Sequence, residues 1–291
     1  MSATDNTTQP IVFYDIASSQ PHHTFAPNPW KTRYALNHKK FPYKTKPIDL
    51  PDIASERQKL NVPANRTLPD GSPYHTLPLI HDPATNAFVG DSFEIALHLD
   101  RRPQTPEEAA TSSRSPPLFR PGTVGLTAAL NSRVDELFTK YVALSSAKMP
   151  FPEQSKARIQ SIFAARFGLK DMTALALSPE ARENMFVEFE HALGELAKAY
   201  RHVGGTTDGV WRAGGTAEGQ AQRDGRAQGV GGPWLDGDEG EGPVYADFVV
   251  GGWLAMMARG REERDWERVR GGQGGLWGRI HDALEPLRRM D

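Results

Sequence analysis

The sequence has no cysteine among its 291 residues. It therefore cannot form disulfides, build a thiolate metal site or use a thiol of its own as a nucleophile. Any sulfur chemistry at this protein must use a sulfur atom that arrives on a ligand.

The sequence also lacks an excess of positive charge, with 34 lysines and arginines against 36 aspartates and glutamates. Without a basic field, nucleic acid and membrane surfaces are not expected as partners. No apolar stretch approaches the roughly 20 residues that span a bilayer. Residues 1–10 are polar and do not resemble a signal peptide, so a cytoplasmic location is expected.

Two other kinds of site find no support in the sequence. The pair His22-His23 has no spaced third ligand, so no metal site is predicted. No glycine motif stands between a strand and a helix where it could hold a phosphate, and no Gly-x-Ser-x-Gly nucleophile motif occurs.

About the first 100 residues alternate between strand-like and helix-like patterns. Asn28 before Pro29 indicates a helix start with asparagine as the cap, and Ser92 is read as the cap of a later helix. The predicted strands are Ile11–Ile16, Tyr43–Ile48, Leu77–Ile80 and Ala87–Val89, and the predicted helices are Pro29–Lys39, Ile53–Leu60 and Ser92–Asp100. The order βαβ, α, ββα implies a mixed sheet covered by helices.

The second half shows only helical periodicity. Apolar residues recur every three or four positions, as on a helix face that packs against a core. These faces are Leu126, Leu130, Val134, Leu137, Tyr141 and Leu144; Phe186, Phe189, Leu193, Leu196 and Tyr200; a helix that begins near Tyr245; and Leu276, Ile280, Leu284 and Leu287. The predicted fold class is an α/β domain followed by an all-α domain.

The predicted domain division follows composition. Residues 1–10 are a disordered tail, 11–102 the α/β domain, 103–122 a linker, and 123–291 the helical domain. Within the helical domain, residues 203–242 include thirteen glycines and few apolar residues, which predicts a flexible insertion.

Three motifs resemble the cytosolic glutathione transferase superfamily. They are APNPWKTRYAL at 26–36, TLPLI at 76–80 followed by GDS at 90–92, and GPVYADF at 242–248. The first is similar to the first-helix motif of fungal and bacterial β-etherase-like transferases and to that of fungal nitrogen-regulator-like transferases. The resemblance implies a thioredoxin-like first domain that binds glutathione, a helical domain that binds an apolar small molecule, and a homodimer.

The second motif implies the glutathione-binding residues. The family has a cis proline at the place of Pro78, and Leu77 before it pairs its backbone with the cysteinyl residue of glutathione. Asp91 and Ser92, after a strand and at a helix start, are placed to hold the γ-glutamyl end. From the residues alone, an ordinary trans proline and a simple helix cap are the alternatives.

Asn28 is the candidate for activating the glutathione thiol, because the start of the first helix faces the sulfur in this family. An amide can donate a hydrogen bond to a thiolate but cannot accept its proton. β-Etherase-like relatives have serine in place of Ala26, so the hydroxyl is missing here. Thr24 is the second candidate, ahead of Ser18 and Ser19, and capping alone is the alternative role for Asn28.

The resemblance implies an enzyme that adds glutathione thiolate to a bulky apolar electrophile, in detoxification or secondary metabolism. Glutathione-dependent cis/trans isomerisation and β-ether cleavage use the same thiolate. A non-catalytic ligand carrier or regulatory protein is the alternative from another class, because a fold does not by itself establish a function.

Overall fold

The computed structural model describes residues 9–19, 24–68, 70–103, 116–166, 170, 177–202, 234–235 and 242–290. The predictions for the tail at 1–8, for the histidine pair at 22–23, for most of the linker and for nearly all of the insertion fall outside these residues.

The first domain is built on a four-stranded sheet in the order β2-β1-β5-β6. Its elements are β1 Ile11–Ile16, α1 Pro27–Lys39, β2 Tyr43–Ile48, α2 Ile53–Lys59, β3 Arg66–Thr67, β4 Pro73–Tyr74, β5 Leu79–Asp82, β6 Ala87–Gly90 and α3 Ser92–Arg101. β1 and β2 are parallel, whereas β5 is antiparallel to both of its neighbours. The predicted thioredoxin-like fold is confirmed. The two-residue strands β3 and β4 form a separate hairpin that the sequence analysis missed.

The second domain is helical, as predicted. Its helices are α4 Val124–Lys140, α5 Lys156–Arg166, α6 Pro179–Ala197, α7 Tyr245–Gly260 and α8 Glu263–Ala283. α8 is interrupted at Gly272–Gly275, where the backbone leaves helical geometry. The part after the interruption is a separate short helical segment, and it carries the predicted face of Leu276 and Ile280. No helix of the described residues is long and apolar enough to cross a membrane.

The predicted helix caps are each wrong by one or two positions. The cap of α1 is Ala26, and Pro27 is its first helical residue, because the fixed φ of proline suits that position. The cap of α3 is Asp91, whose Oδ1 accepts a hydrogen bond from the Phe93 N–H at 2.9 Å. Neither Asn28 nor Ser92 is therefore occupied with capping its helix.

The predicted apolar face of α4 is wrong at its start. Val134 and Leu137 are buried, but Leu126 is 75% exposed. Periodicity shows which residues share a face of a helix, but it does not show how far along the helix the neighbouring elements extend.

The two domains meet where α1 packs against α7. Tyr34 on α1 contacts Phe248 on α7, with ring centroids 5.7 Å apart. A Cβ at Gly252 would lie 2.6 Å from the carbonyl oxygen of Pro27, so only glycine allows this approach. The close contact fixes the first turn of α1, which carries Asn28, against the helical domain.

Candidate glutathione and acceptor site

A cavity of about 280 Å³ lies between the two domains. Five of the six predicted site residues line it: Asn28, Leu77, Pro78, Asp91 and Ser92. These residues come from three separate stretches of sequence, and the fold brings them to one cavity. Thr24 does not line the cavity.

The hydrogen-bond donors that are available at the start of α1 belong to Asn28. Pro27 and Pro29 have no N–H, and the N–H of Trp30 donates to the Ala26 carbonyl at 3.3 Å. Among residues 27–30, Asn28 therefore has the one backbone N–H not used by the helix. Its side-chain Oδ1 is buried and has no hydrogen-bond partner among the described residues. An anion at this position would meet the helix N-terminus and the backbone N–H of Asn28. Oδ1 is an acceptor, so the side-chain donor of Asn28 is its Nδ2 amide.

The Leu77-Pro78 peptide bond is cis, which confirms the prediction. The strand after it starts at Leu79, two residues later than predicted, and Leu79 pairs with Tyr14 and Gly90. Leu77 lies outside this ladder, so its backbone N–H and C=O at the cavity wall are not used by the sheet.

Ser92 and Asp91 form the next part of the wall. Ser92 is the first residue of α3, is 5% exposed and lines the cavity. Asp91 has a left-handed φ of 75°, which for a residue other than glycine is rare outside functional sites and tight turns. This conformation lets one carboxylate oxygen cap α3 while the residue still borders the cavity.

The β3–β4 hairpin adds polar residues that the sequence analysis missed. Arg66, Tyr74 and His75 line the cavity. Nδ1 of His75 is buried without a hydrogen-bond partner among the described residues. Strands of two residues have no periodic pattern, so these side chains could not be placed in advance.

Arg57 on α2 supports this wall from behind. Its guanidinium donates to the carbonyls of Thr76 at 2.8 Å and Pro63 at 2.5 Å, and burial lowers its pKa. A Cβ at Gly90 would lie 2.9 Å from Nη1 of Arg57. Glycine occupies position 90 of the GDS motif because a larger side chain would collide with Arg57. Its backbone is not in the left-handed conformation that would otherwise favour glycine.

Most of the other lining residues are apolar and come from both domains, and we call this set the apolar half of the cavity. Its walls are Ile16, Phe25, Leu50, Ile53, Val142, Met149, Phe163, Trp253 and Met256. The thioether side chains of the two methionines can adapt to ligands of different shape. A flat or bulky apolar molecule fits the character of this half.

Trp253, one of the apolar lining residues, is held by two contacts. Its ring stacks on Phe138, with centroids 5.3 Å apart, and its Nε1 donates to Oδ1 of Asp135 at 2.6 Å. Lys31, which is completely buried on α1, also bonds Asp135 at 2.6 Å. Burial lowers the pKa of Lys31, and the charge of Asp135 opposes this shift. Asp135 thus connects the first helix to a wall of the cavity.

Thr24, Ser18 and Ser19 are placed away from the cavity. Thr24 is completely buried, and its carbonyl accepts a hydrogen bond from Arg259 at 2.8 Å. Its hydroxyl lies beside the carboxyl group of Asp15. Burial raises the pKa of Asp15, and the hydrogen bond with Thr24 opposes this rise. No side chain of this group lines the cavity as described. No cluster of three or more histidine, aspartate or glutamate residues in the described part of the chain could hold a metal ion.

Comparison with known proteins agrees with this geometry. Residues 25–102 match the family model of the glutathione S-transferase N-terminal domain, and residues 126–287 match that of the C-terminal domain. A search of the curated proteins gives no match.

Solved structures of fungal transferases share the whole fold. Glutathione S-transferase CsGST63524 of Ceriporiopsis subvermispora, solved in complex with glutathione, is 26% identical with a TM-score of 0.74, and the match covers 97% of this chain and 99% of that one. GSTFuA2 of Phanerochaete chrysosporium is 27% identical with a TM-score of 0.70, over 97% and 100% of the two chains. GSTFuA3 of the same fungus, 24% identical with a TM-score of 0.74 over 98% and 100%, shares the fold. The chain belongs to the glutathione S-transferase family.

Proposed function

We propose that this protein binds glutathione in the polar half of the cavity, stabilises its thiolate with Asn28, and adds the thiolate to an apolar electrophile in the other half. The observation that carries the proposal is the start of α1. There, Asn28 lines the cavity with a backbone N–H that the helix does not use, and its side-chain NH2 group is a second donor at the same residue.

The polar groups match glutathione from end to end. The hydroxyl and N–H of Ser92 suit the γ-glutamyl carboxylate, and the Asp91 carboxylate suits its ammonium group. The backbone of Leu77 suits the cysteinyl residue, as an added strand. Arg66 suits the glycyl carboxylate. The ammonium and the glycyl carboxylate then each meet an opposite charge, and the γ-glutamyl carboxylate meets two neutral hydrogen-bond donors.

The chemistry follows from what Asn28 can and cannot do. It donates a hydrogen bond to sulfur and lowers the thiol pKa, together with the helix N-terminus, but the proton must leave to solvent. The thiolate then forms a carbon–sulfur bond with the electrophile, and the leaving group departs with the electron pair of the broken bond. The apolar walls hold the electrophile beside the sulfur, which supplies proximity rather than further activation.

The acceptor is proposed to be bulky and uncharged, since the walls of its half contain no ionised side chain among the described residues. Cis/trans isomerisation and β-ether cleavage use the same thiolate and remain variants of the proposal. A role in detoxification or secondary metabolism fits such an acceptor. The second candidate is a non-catalytic carrier, which the missing hydroxyl at Ala26 favours.

A homodimer is also proposed. Leu126, 75% exposed on α4, is an apolar side chain that a second copy could cover.

Turnover assays separate these functions. The purified protein is incubated with glutathione and a generic aryl chloride, an activated cis-alkene or a β-aryl ether, and glutathione and products are quantified. A transferase consumes glutathione and forms a thioether, whereas an isomerase changes the alkene without consuming glutathione. If the protein binds glutathione but turns over none of the three, the carrier function replaces the enzyme.

A further inference from the structure

Tyr245 places a phenol group behind the proposed carboxylate site. It is the first residue of α7 in the helical domain, and its side chain is completely buried. Its ring meets Phe93, the residue after Ser92, edge-on with centroids 5.6 Å apart. It also packs against Phe119, at 5.4 Å. These contacts fix the ring, so the position of the hydroxyl is fixed as well.

The Tyr245 hydroxyl has no hydrogen bond of good geometry among the described residues, although it is buried. Native proteins rarely leave a buried hydroxyl unpaired, because its lost hydration costs free energy. The Tyr245 hydroxyl is therefore available to a neighbouring group that can accept a hydrogen bond from it.

Ser92 is the neighbour that can accept this hydrogen bond. The ring contact with Phe93 places Tyr245 beside the start of α3, where Ser92 is the first residue. Burial raises the pKa of Tyr245 well above its ordinary value, and hydrogen bonding with the Ser92 side chain opposes the rise. Asp91 and Asp135 also act on Tyr245, but only through their charge, and both raise its pKa. Tyr245 therefore keeps its proton and stays a donor.

We propose that Tyr245 is a positioning residue for glutathione, whose hydroxyl donates to Oγ of Ser92 and turns the Ser92 O–H toward the γ-glutamyl carboxylate. This inference rests on the proposed function, since it assumes that Ser92 binds that carboxylate. A hydroxyl that accepts one hydrogen bond donates a stronger one, so the chain Tyr245 to Ser92 to carboxylate is cooperative. Through it, the helical domain contributes to binding of glutathione by the other domain.

A double-mutant cycle tests the proposal by calorimetric titration with glutathione. Tyr245→Phe keeps the ring and removes the donor, and should weaken binding about 2- to 12-fold, the range of one net hydrogen bond. Ser92→Ala should weaken it more. The double variant should bind as Ser92→Ala alone does, because Tyr245 acts only through Ser92.

Two controls separate positioning from packing. Tyr200 in the helical domain is also a buried tyrosine whose hydroxyl has no partner among the described residues, and Tyr200→Phe should leave affinity unchanged. The second control is 4-aminobutyryl-cysteinylglycine, which is glutathione without the α-carboxylate of its glutamyl residue. Its affinity should be equal for the unmutated protein and Tyr245→Phe, whatever the thermal stability of the variant.

The outcomes are distinct. Full glutathione affinity in Tyr245→Phe, or an equal loss of affinity for both ligands, overturns the positioning role. The positioning role is also overturned if Tyr245→Phe lowers glutathione affinity by the same factor in the Ser92→Ala protein as in the unmutated protein. Unchanged affinity in Ser92→Ala alone instead refutes the proposed glutathione site.

Discussion

The link between the domains at Asp135 should contribute strongly to stability at their boundary. Asp135 accepts from the buried ammonium of Lys31 and from the indole of Trp253, each at 2.6 Å. In Asp135→Ala, the Lys31 ammonium keeps its hydrogen bond to Oδ1 of Asn131, at 3.0 Å. The variant therefore tests what an uncompensated charge costs at this position.

The expected loss can be worked out from these contacts. Removing one partner of a buried ion pair costs about 3–5 kcal/mol, and the lower end applies because the Asp135 side chain is 27% exposed. The unpaired indole N–H of Trp253 adds about 1 kcal/mol. The sum is about 4 kcal/mol, a large fraction of the stability of an ordinary domain.

The pH dependence has a definite sign. Without Asp135, the main influence that opposes burial is lost, so the pKa of Lys31 falls further below that of a free lysine. The unfolded chain then binds a proton that the folded protein releases, so the free energy of unfolding of the variant rises with pH across that window. The deficit relative to the unmutated protein should shrink as the pH rises toward the pKa of free lysine.

Urea unfolding measures the free energy of unfolding of each variant. Glu136→Ala is the matched control, because Glu136 is 72% exposed next to Asp135 and should cost less than about 0.5 kcal/mol. The double change Lys31→Met with Asp135→Ala removes both charges and should recover most of the loss. A loss below about 1 kcal/mol for Asp135→Ala, or a double variant no better than the single one, would refute the reasoning.

Three other predictions use single measurements. Ser92→Ala should weaken glutathione binding in calorimetry by roughly 1–3 kcal/mol, the cost of a lost hydrogen bond to a charged group, and unchanged affinity would remove Ser92 from the site. Light scattering should give the mass of a dimer at micromolar protein and that of a monomer for Leu126→Glu, because a second copy would have to bury the new charge; a monomeric unmutated protein would end the dimer proposal. Burial acts to raise the pKa of Asp82, but the hydrogen bond from His98 and the charge of Arg102 outweigh it and lower the pKa to about 2. The stabilisation by ionised Asp82 should therefore be complete above about pH 4, near the pKa of the unfolded chain, and should be lost as the pH falls toward about 2. In Asp82→Asn, the melting temperature should depend less on pH over this acidic range.

Much of the first domain could be predicted from the sequence, because its elements have strong local signals. The branched residues of β1 and the motif around Pro78 each point to one structure. The helix starts were harder, since both Pro27 and Pro29 suit a first helical position, and Asp91 and Ser92 are both good caps. Only packing against the rest of the protein decides between such neighbours.

Other parts of the site depend on contacts between distant residues. Arg57 bonds Thr76, which lies 19 positions further along the chain. The reason for glycine at position 90, which is the space that the Arg57 side chain occupies, becomes visible only in the folded structure. The partnership of Lys31 and Asp135 spans 104 positions and two domains. A buried lysine and a partly exposed aspartate have no shared local pattern, so the sequence could not show that they meet.

The pKa of glutathione bound to the protein tests the central claim most directly. It is read from the ultraviolet absorbance of the thiolate during a pH titration of the complex, with the unmutated protein, Asn28→Ala, and Asn37→Ala, which changes an asparagine at the far end of α1. The unmutated complex and Asn37→Ala should titrate below the value of about 8.5 for a free thiol, and Asn28→Ala should titrate closer to it, with each unit equal to about 1.36 kcal/mol. A bound thiol that titrates at its free value in the unmutated protein, or an Asn28→Ala complex with an unshifted titration, would contradict the account.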